Sequence, residues 1–205
     1  MNLPNKLTIA RIILVPLLLI FIIPIPDTIV HSSLLKFAES AMVDMNTFIV
    51  KYGSYVAAGL FLLASATDFI DGYIARKRNQ VTRFGKFIDP IADKLLVTAS
   101  LIALVQCGKV AAWAVIIIMA RDFIVTGLRL IAAGDGVVIS ASIWGKIKTF
   151  TQMAAIVAVL LNDLPLSIFY DWKIDTVIMI IAVIATIYSG YDYIAKYRKV
   201  IASNS

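Results

Sequence analysis

Long apolar segments constrain what this chain can fold into more than any other feature of its sequence. Six of them can be counted, at roughly residues 7–24, 48–67, 87–106, 110–133, 144–161 and 174–195. A helix needs about 20 apolar residues to cross a bilayer, and most of these segments are that long. Hydrophobic residues make up 60% of the 205-residue chain, against about 45–50% in soluble domains. We therefore expect an all-α integral membrane protein with six transmembrane helices, forming one domain over residues 1–205.

Charged residues interrupt the apolar pattern in two places. The fourth segment contains Arg121, Asp122 and Arg129, and charges within apolar sequence face a protein interior or a water-filled cavity. We expect the second half of this helix to line a polar cavity inside the bundle. Residues 25–47 mix acidic, basic and apolar side chains, which predicts an extramembrane loop with some amphipathic helix.

The distribution of Lys and Arg predicts the orientation in the membrane. Fifteen of the 19 lie near the N-terminus, in the 68–94 connection, in the 121–148 region or near the C-terminus. The remaining four are Lys36, Lys51, Lys109 and Lys173. Basic residues accumulate on the cytoplasmic side of membrane proteins, so we expect both termini and the polar cavity to be cytoplasmic.

Four aspartates form two pairs beside apolar segments. Asp68 and Asp71 are three residues apart, and Asp89 and Asp93 are four apart. On a helix either spacing places both Cβ atoms on one face, roughly 5–6 Å apart. Carboxylates crowded beside an apolar surface repel one another and resist desolvation, whereas hard divalent cations take oxygen ligands. The spacing therefore indicates a metal site, and two cations about 3.5–4 Å apart would suit phosphoryl displacement.

The alternative is that these aspartates are helix caps and boundary charges. Asp89 before Pro90 does match an N-cap with proline at the first helical position. That interpretation explains one aspartate and leaves the regular spacing of the four unexplained. A metal site built on histidine is excluded because the chain has one His, and its one Cys excludes an intrachain disulfide.

The stretch that holds the aspartates resembles the signature of the CDP-alcohol phosphotransferase family, D-x2-D-G-x2-A-R-x8-G-x3-D-x3-D. All eight fixed positions match: Asp68, Asp71, Gly72, Ala75, Arg76, Gly85, Asp89 and Asp93. The resemblance implies that the CDP part of a donor binds across Gly72, Ala75, Arg76 and Gly85. It is consistent with two Mg²⁺ or Mn²⁺ ions held by Asp68, Asp71, Asp89 and Asp93. We assign Asp93 also as the general base that takes the proton of the attacking hydroxyl.

Two of these assignments have simpler alternatives. Gly72 and Ala75 are three apart, and small residues at such spacing also allow close packing of membrane helices. Arg76 opens a basic run whose other members are explained by membrane topology and anionic lipid headgroups. We assign only Arg76 to the nucleotide diphosphate because it alone is a fixed position of the signature.

A second basic set lies further along the chain, and its members are Arg121, Arg129, Lys146 and Lys148. Together these residues would form a cationic pocket, which suits an acceptor that carries a phosphate. Two alternatives stay open. Asp122 would neutralise one of the arginines, and the two lysines would extend along the membrane interface. The Trp and Tyr residues are expected in the interfacial belt.

Residues 121–129 and 4–11 resemble segments of one branch of that family, the phosphatidylglycerophosphate synthases. The resemblance implies CDP-diacylglycerol as donor, sn-glycerol 3-phosphate as acceptor, the bilayer of a bacterial cytoplasmic membrane, and a homodimer. Other acceptors of the same family remain alternatives, as in cardiolipin synthase or phosphatidylinositol phosphate synthase, or with serine or an amino alcohol. A cation transporter is disfavoured because transporters hold their ions near the bilayer midplane, whereas these charges gather at one boundary.

Overall fold

A computed structural model describes the backbone of residues 3–30, 33–77, 83–134, 142–161 and 174–202. Side chains are described for residues 8–30, 36–67, 91–92, 94–132, 134, 142–161 and 174–197. The described residues contain helices and no strand. The all-α prediction is therefore confirmed for this part of the chain.

Eight α-helices occur in the described residues, and six of them are long. Their bounds are α1 Leu3–Ile22, α2 Asp27–Val30, α3 Glu39–Phe48, α4 Ser54–Lys77, α5 Arg83–Gln106, α6 Ala112–Gly134, α7 Ile143–Leu161 and α8 Ile174–Ala202. A 3-10 helix covers Ser33–Ala38, and a π-helical turn covers Ile49–Gly53. Each of the six long helices contains most of one predicted apolar segment.

Three helical stretches in the described residues are long and apolar enough to cross a membrane: Lys36–Thr67, Ile143–Leu161 and Ile174–Tyr197. Shorter apolar stretches cover Thr8–Ile22 in α1 and Lys94–Gln106 in α5. The helix α6 carries three charges, Arg121, Asp122 and Arg129, which lower its apolar character. The protein thus has the character of a membrane protein.

The predicted loop over residues 25–47 is largely helical. Phe48, Ile49 and Ser54 all have right-handed helical backbone angles, so α3 continues through the π-helical turn into α4. The two ends of this region are joined by a hydrogen bond, in which the side-chain oxygen of Asn46 accepts from the backbone N–H of Ile25 at 2.9 Å. The second apolar helix is therefore longer than its sequence pattern predicts.

The chain divides into two compact units, Met1–Lys109 and Val110–Ser205, which we call the N-terminal and C-terminal units. In the N-terminal unit, α1 packs against both α4 and α5. Buried positions on α1 recur every three or four residues, so they lie on one face of the helix; they are Thr8, Arg11, Val15, Leu18 and Ile22. Many of the buried positions on α4 and α5 are small, including Ala57, Ala58, Ala64, Ala92 and Ala103.

The last turn of α1 is fixed by backbone contacts. A Cβ atom at Gly53 would collide with the carbonyl oxygen of Phe21, so α1 and the π-helical turn meet at a distance that only glycine allows. The thiol of Cys107 donates to the carbonyl of Ile22 at 3.3 Å. Gly108, with φ of 69°, ends α5 in a Schellman motif, because its N–H donates to Val105 and that of Lys109 donates to Leu104.

In the C-terminal unit, α8 packs against both α6 and α7. The buried positions of α8 recur with the period of one helical face; they are Met179, Ala182, Val183, Thr186, Ser189 and Tyr193. Its exposed large apolar side chains are mostly isoleucines, among them Ile180, Ile184, Ile187 and Ile194. A helix with an apolar outer face and polar groups on its inner face is typical of a membrane bundle.

Candidate active site

The aspartates of the family signature lie on two helices of the N-terminal unit. Asp68 and Asp71 occur in the second half of α4, and Asp89 and Asp93 occur in the first half of α5. Because both helices run through these positions, each pair has the helical spacing that the sequence predicts. The side chains of all four lie outside the described residues, as do those of Ala75 and Arg76 and the surroundings of Gly72 and Gly85. Among the described residues no group of three His, Cys, Asp or Glu could hold a metal.

Arg11 is a buried basic residue on the helix that contacts both aspartate-bearing helices. Its side chain is 1% exposed, and it continues the buried face formed by Val15 and Leu18 toward the N-terminus of α1. The charge pattern alone marks Arg11 only as a cytoplasmic charge. Its regular spacing from the apolar residues was the signal that it faces the protein interior.

The clearest polar arrangement in the described residues is centred on Asp122 of α6. Lys148 of α7 donates to both carboxylate oxygens, with Nζ 2.8 Å from Oδ1 and 2.7 Å from Oδ2. Arg121 Nη1 lies 3.1 Å from Oδ1. A buried charge is tolerated when it is paired and hydrogen-bonded, and these contacts explain how a lysine side chain that is only 5% exposed is accommodated.

Tyr193 of α8 contacts both arginines of α6. Its hydroxyl accepts a hydrogen bond from Arg129 Nη2 at 2.8 Å and another from the backbone N–H of Ser142 at 3.0 Å. The guanidinium carbons of Arg121 and Arg129 each lie 5.4 Å from the centre of its ring, within the range of cation–π attraction. Tyr193 is 2% exposed, so its assignment to the interfacial belt was wrong.

Ser189 lies one helical turn before Tyr193 and holds the other arginine. Its hydroxyl accepts a hydrogen bond from Arg121 Nη2. Next to it, Gly190 leaves room for the arginine stem, because a Cβ atom there would lie 3.2 Å from Arg121 Cγ. Ser189 and Tyr193 are polar residues spaced four apart, and that spacing, which places them on one face of the helix, was the sequence signal for this pair.

The start of α7 determines which of its two lysines joins this arrangement. Ser142 caps the helix, since its hydroxyl accepts from the N–H of Gly145 at 3.1 Å. Lys148 lies on the buried face of α7 with Gln152 and Ala155. Residues two apart on a helix point about 200° apart, so Lys146 lies on the other face and is exposed.

The structure thus brings Arg121, Arg129 and Lys148 together around Asp122 and Tyr193, and it leaves Lys146 outside. We call the four charged residues Arg121, Asp122, Arg129 and Lys148 the basic cluster. The alternative that Asp122 neutralises one of the arginines is confirmed for Arg121, and the same carboxylate also pairs with Lys148. Three cations and one carboxylate leave the basic cluster with two net positive charges.

Comparison with known proteins gives the chain a clear family. The profile of the family described as CDP-alcohol phosphatidyltransferase matches residues 1–188. A protein of Bacillus subtilis named CDP-diacylglycerol–glycerol-3-phosphate 3-phosphatidyltransferase is 43% identical over 195 residues, covering 95% of this chain and 94% of its own. A protein of the same name from Rickettsia felis is 39% identical and covers 97% and 96%.

A third relative matches a smaller part of the chain. The probable phosphatidylglycerophosphate synthase of Mycobacterium tuberculosis is 41% identical over 142 residues, covering 69% of this chain and 65% of its own. A profile match over most of the chain, together with relatives matched at nearly full length, is sufficient to assign the family. The chain belongs to the CDP-alcohol phosphatidyltransferase family.

Proposed function

We propose that the protein transfers the phosphatidyl group of CDP-diacylglycerol to sn-glycerol 3-phosphate, which gives phosphatidylglycerophosphate and CMP. The observation that carries the choice of acceptor is the basic cluster with its two net positive charges. A phosphate dianion matches that charge, and a neutral alcohol does not. The names of the relatives from Bacillus subtilis and Rickettsia felis support the same donor and acceptor.

The donor half of the reaction is assigned to the aspartate helices. Asp68, Asp71, Asp89 and Asp93 would hold two Mg²⁺ or Mn²⁺ ions, whose charge would offset that of the donor diphosphate and the departing CMP. The donor set fits such ions, because carboxylate oxygens are the ligands that hard cations prefer. Gly72, Ala75, Arg76 and Gly85 would contact the CDP part of the donor, with Arg76 at the diphosphate.

The transfer itself needs one proton acceptor and one bond exchange. The free primary hydroxyl oxygen of glycerol 3-phosphate attacks the phosphorus that bears diacylglycerol, in line with the oxygen that joins it to CMP. The new P–O bond forms as the bond to CMP breaks, and the hydroxyl proton passes to the Asp93 carboxylate. The matched signature, residues 68–93, offers carboxylates and contains no Ser or Cys nucleophile, so a direct displacement is the simplest route.

We also propose the finer points of membrane placement. The six long helices would all cross the bilayer, with both termini and a polar cavity facing the cytoplasm of a bacterial cell, as the distribution of Lys and Arg favours. A homodimer is implied by family resemblance, and light scattering of the purified protein in detergent would test it. A site at the membrane boundary suits a donor that arrives from the bilayer and an acceptor that arrives from water.

The experiment that tests the function is CMP release by purified protein supplied with CDP-diacylglycerol and one acceptor at a time. The panel is glycerol 3-phosphate, glycerol, serine, inositol phosphate and phosphatidylglycerol. We expect glycerol 3-phosphate to be used at least about 100-fold better than glycerol, because glycerol has no phosphate to pair with the positive charges of the basic cluster. Equal use of glycerol would remove the support for this acceptor, and preference for another member of the panel would identify a different one.

A further inference from the structure

The two arginines of the basic cluster are held from a different helix. Arg121 and Arg129 both belong to α6, whereas the groups that orient them, Ser189 and Tyr193, both belong to α8. A free arginine side chain samples many rotamers, and fixing it beforehand removes that entropy loss from the binding of a ligand. Donors fixed in advance also keep a bound acceptor in one orientation.

Tyr193 is the common point of this arrangement. Its ring lies beside both guanidinium groups, and its hydroxyl accepts from Arg129 and from the N–H of Ser142 at the start of α7. One buried side chain therefore joins the arginine-bearing helix, the lysine-bearing helix and α8. Movement of this ring would displace both arginines relative to Lys148.

The arginines also retain unused hydrogen-bonding capacity. The Nε atoms of Arg121 and Arg129 are both buried and have no hydrogen-bond partner in the described part of the chain. A guanidinium offers five N–H donors, and a buried donor left unpaired in a native structure calls for an explanation such as a catalytic role or a bound ion. An anion that entered the cluster would allow the guanidinium groups to pair more completely.

We infer that Tyr193 is a positioning residue for the acceptor: it holds Arg129 and Arg121 in the geometry that binds the acceptor phosphate, and so contributes to the preference for a phosphorylated alcohol over a neutral one. This inference rests on the proposed function. Ser189 has the same role for Arg121 alone. Neither side chain contacts the reacting atoms in this scheme, so their effects are on the binding of the acceptor.

The test compares Tyr193→Phe with a matched control on the same helix. Tyr193→Phe keeps the ring and removes the hydroxyl that accepts from Arg129. Tyr191→Phe makes the same change at a side chain that is 70% exposed. We expect Tyr193→Phe to raise the KM for glycerol 3-phosphate about tenfold, since a hydrogen bond to a charged group is lost, with kcat and the KM for CDP-diacylglycerol changed by less than about threefold. Tyr191→Phe should leave all three constants unchanged.

A second measurement separates positioning from general stability. Glycerol 3-phosphate alone should raise the Tm of the wild type and of Tyr191→Phe, because a ligand that binds the native state stabilises it. The same addition should have a much smaller effect on Tyr193→Phe at equal concentration. If Tyr193→Phe instead lowers the Tm and worsens the constants for both substrates alike, its role is structural and the inference is overturned.

The design also distinguishes failure of the inference from failure of the proposed function. If Arg129→Ala raises the KM for glycerol 3-phosphate and Tyr193→Phe does not, the acceptor site stands and the positioning role is wrong. If Arg129→Ala leaves that KM unchanged as well, the assigned acceptor site is wrong. Should Tyr193→Phe fail to fold, Ser189→Ala decides the matter: a KM for glycerol 3-phosphate raised about threefold or more supports the inference, and an unchanged value overturns it.

Discussion

In the N-terminal unit, α1 meets α4 and α5 mostly through alanines and aliphatic side chains, whereas in the C-terminal unit α6, α7 and α8 are joined by charged and hydroxyl groups. Small residues let helix backbones approach closely. Ion pairs and hydrogen bonds instead hold long side chains in fixed positions. Arg11 is the exception in the N-terminal unit, as a buried charged residue on the face of α1 that also holds Val15 and Leu18. Both units have an apolar core, and the C-terminal unit adds a polar network between its helices.

The difference matches the roles that we propose for the two units. The N-terminal unit carries the aspartates, which would act on the phosphorus, and the C-terminal unit carries the basic cluster, which would hold the acceptor. Loss of a group that acts in the transition state lowers kcat, whereas loss of a group that only binds substrate raises KM. Kinetic constants of variants in the two units should therefore separate.

The largest effect is expected for the aspartates. Asp68→Ala, Asp71→Ala or Asp89→Ala should each lower kcat by about 10²–10³-fold or more, at any concentration of acceptor. Asp93→Asn should lower kcat by about 10²-fold or more while donor binding is kept, because asparagine preserves the shape and cannot take a proton. CMP release and CDP-diacylglycerol binding are the measurements.

Two controls accompany these variants. Asp44→Ala removes an exposed acidic side chain of α3 in the same unit and should leave turnover unchanged. EDTA should stop the wild type, and added Mg²⁺ or Mn²⁺ should restore it. Full activity in metal-free buffer would contradict the two-ion assignment, and loss of donor binding by Asp93→Asn in proportion to activity would make Asp93 a ligand only.

The next effect concerns the polar network of the C-terminal unit. Asp122→Ala would remove the carboxylate that accepts from Lys148 Nζ at 2.8 and 2.7 Å, and breaking this largely buried ion pair should cost about 1–3 kcal/mol, since Asp122 is partly exposed. Thermal unfolding in detergent should show a Tm lower by roughly 3–10 °C. The double variant Asp122→Ala/Lys148→Met removes both charges and should recover much of the loss. If the double variant is less stable than either single one, the pair does not stabilise the unit.

The sequence predicts the parts of this architecture that depend on local pattern. Apolar runs gave the six long helices, and the three- and four-residue spacings of the aspartates hold because α4 and α5 are helical there. The pairing of Asp122 with Lys148 joins residues 26 apart, and the contact of Tyr193 with Arg129 joins residues 64 apart. Such contacts depend on how helices pack, which helical periodicity does not specify.

Helix packing also explains why the interfacial position predicted for Tyr193 was wrong and why Lys146 lies outside the basic cluster. Tyr is amphipathic and usually suits the membrane interface, but Tyr193 lies on the inner face of α8. Lys146 and Lys148 look alike as a basic pair, and only the rotation of α7 about its axis separates a buried lysine from an exposed one. Composition does not determine how a helix is rotated about its axis. For α8 the polar residues Thr186, Ser189 and Tyr193, which lie on one face, would have indicated the buried side.

A stability effect of similar size, but of opposite sign at two positions, would test the close packing of the N-terminal unit. Gly53→Ala places a methyl group against the carbonyl oxygen of Phe21, and overpacking against backbone should cost about 1–3 kcal/mol. Gly59→Ala is the matched control in α4, because a Cβ atom there meets nothing within 4 Å. It should stabilise the helix by up to about 1 kcal/mol. Equal Tm values for the two variants would mean that α1 does not depend on this contact.

The smallest expected effect is on the reactivity of Cys107, which follows the last residue of α5. Burial raises the pKa of the Cys107 thiol, and the positive charge of Lys109 lowers it by less. A raised pKa means a smaller thiolate fraction at any pH below it, and the thiolate is the form that reacts. Alkylation by a maleimide should therefore be slow at pH 7 and should accelerate with pH beyond the range of an ordinary cysteine. Denaturation in SDS should restore an ordinary rate. A fast reaction in the native protein would show that the contact between the Cys107 thiol and the carbonyl of Ile22 opens readily. The close packing of the N-terminal unit would then not extend to the end of α5.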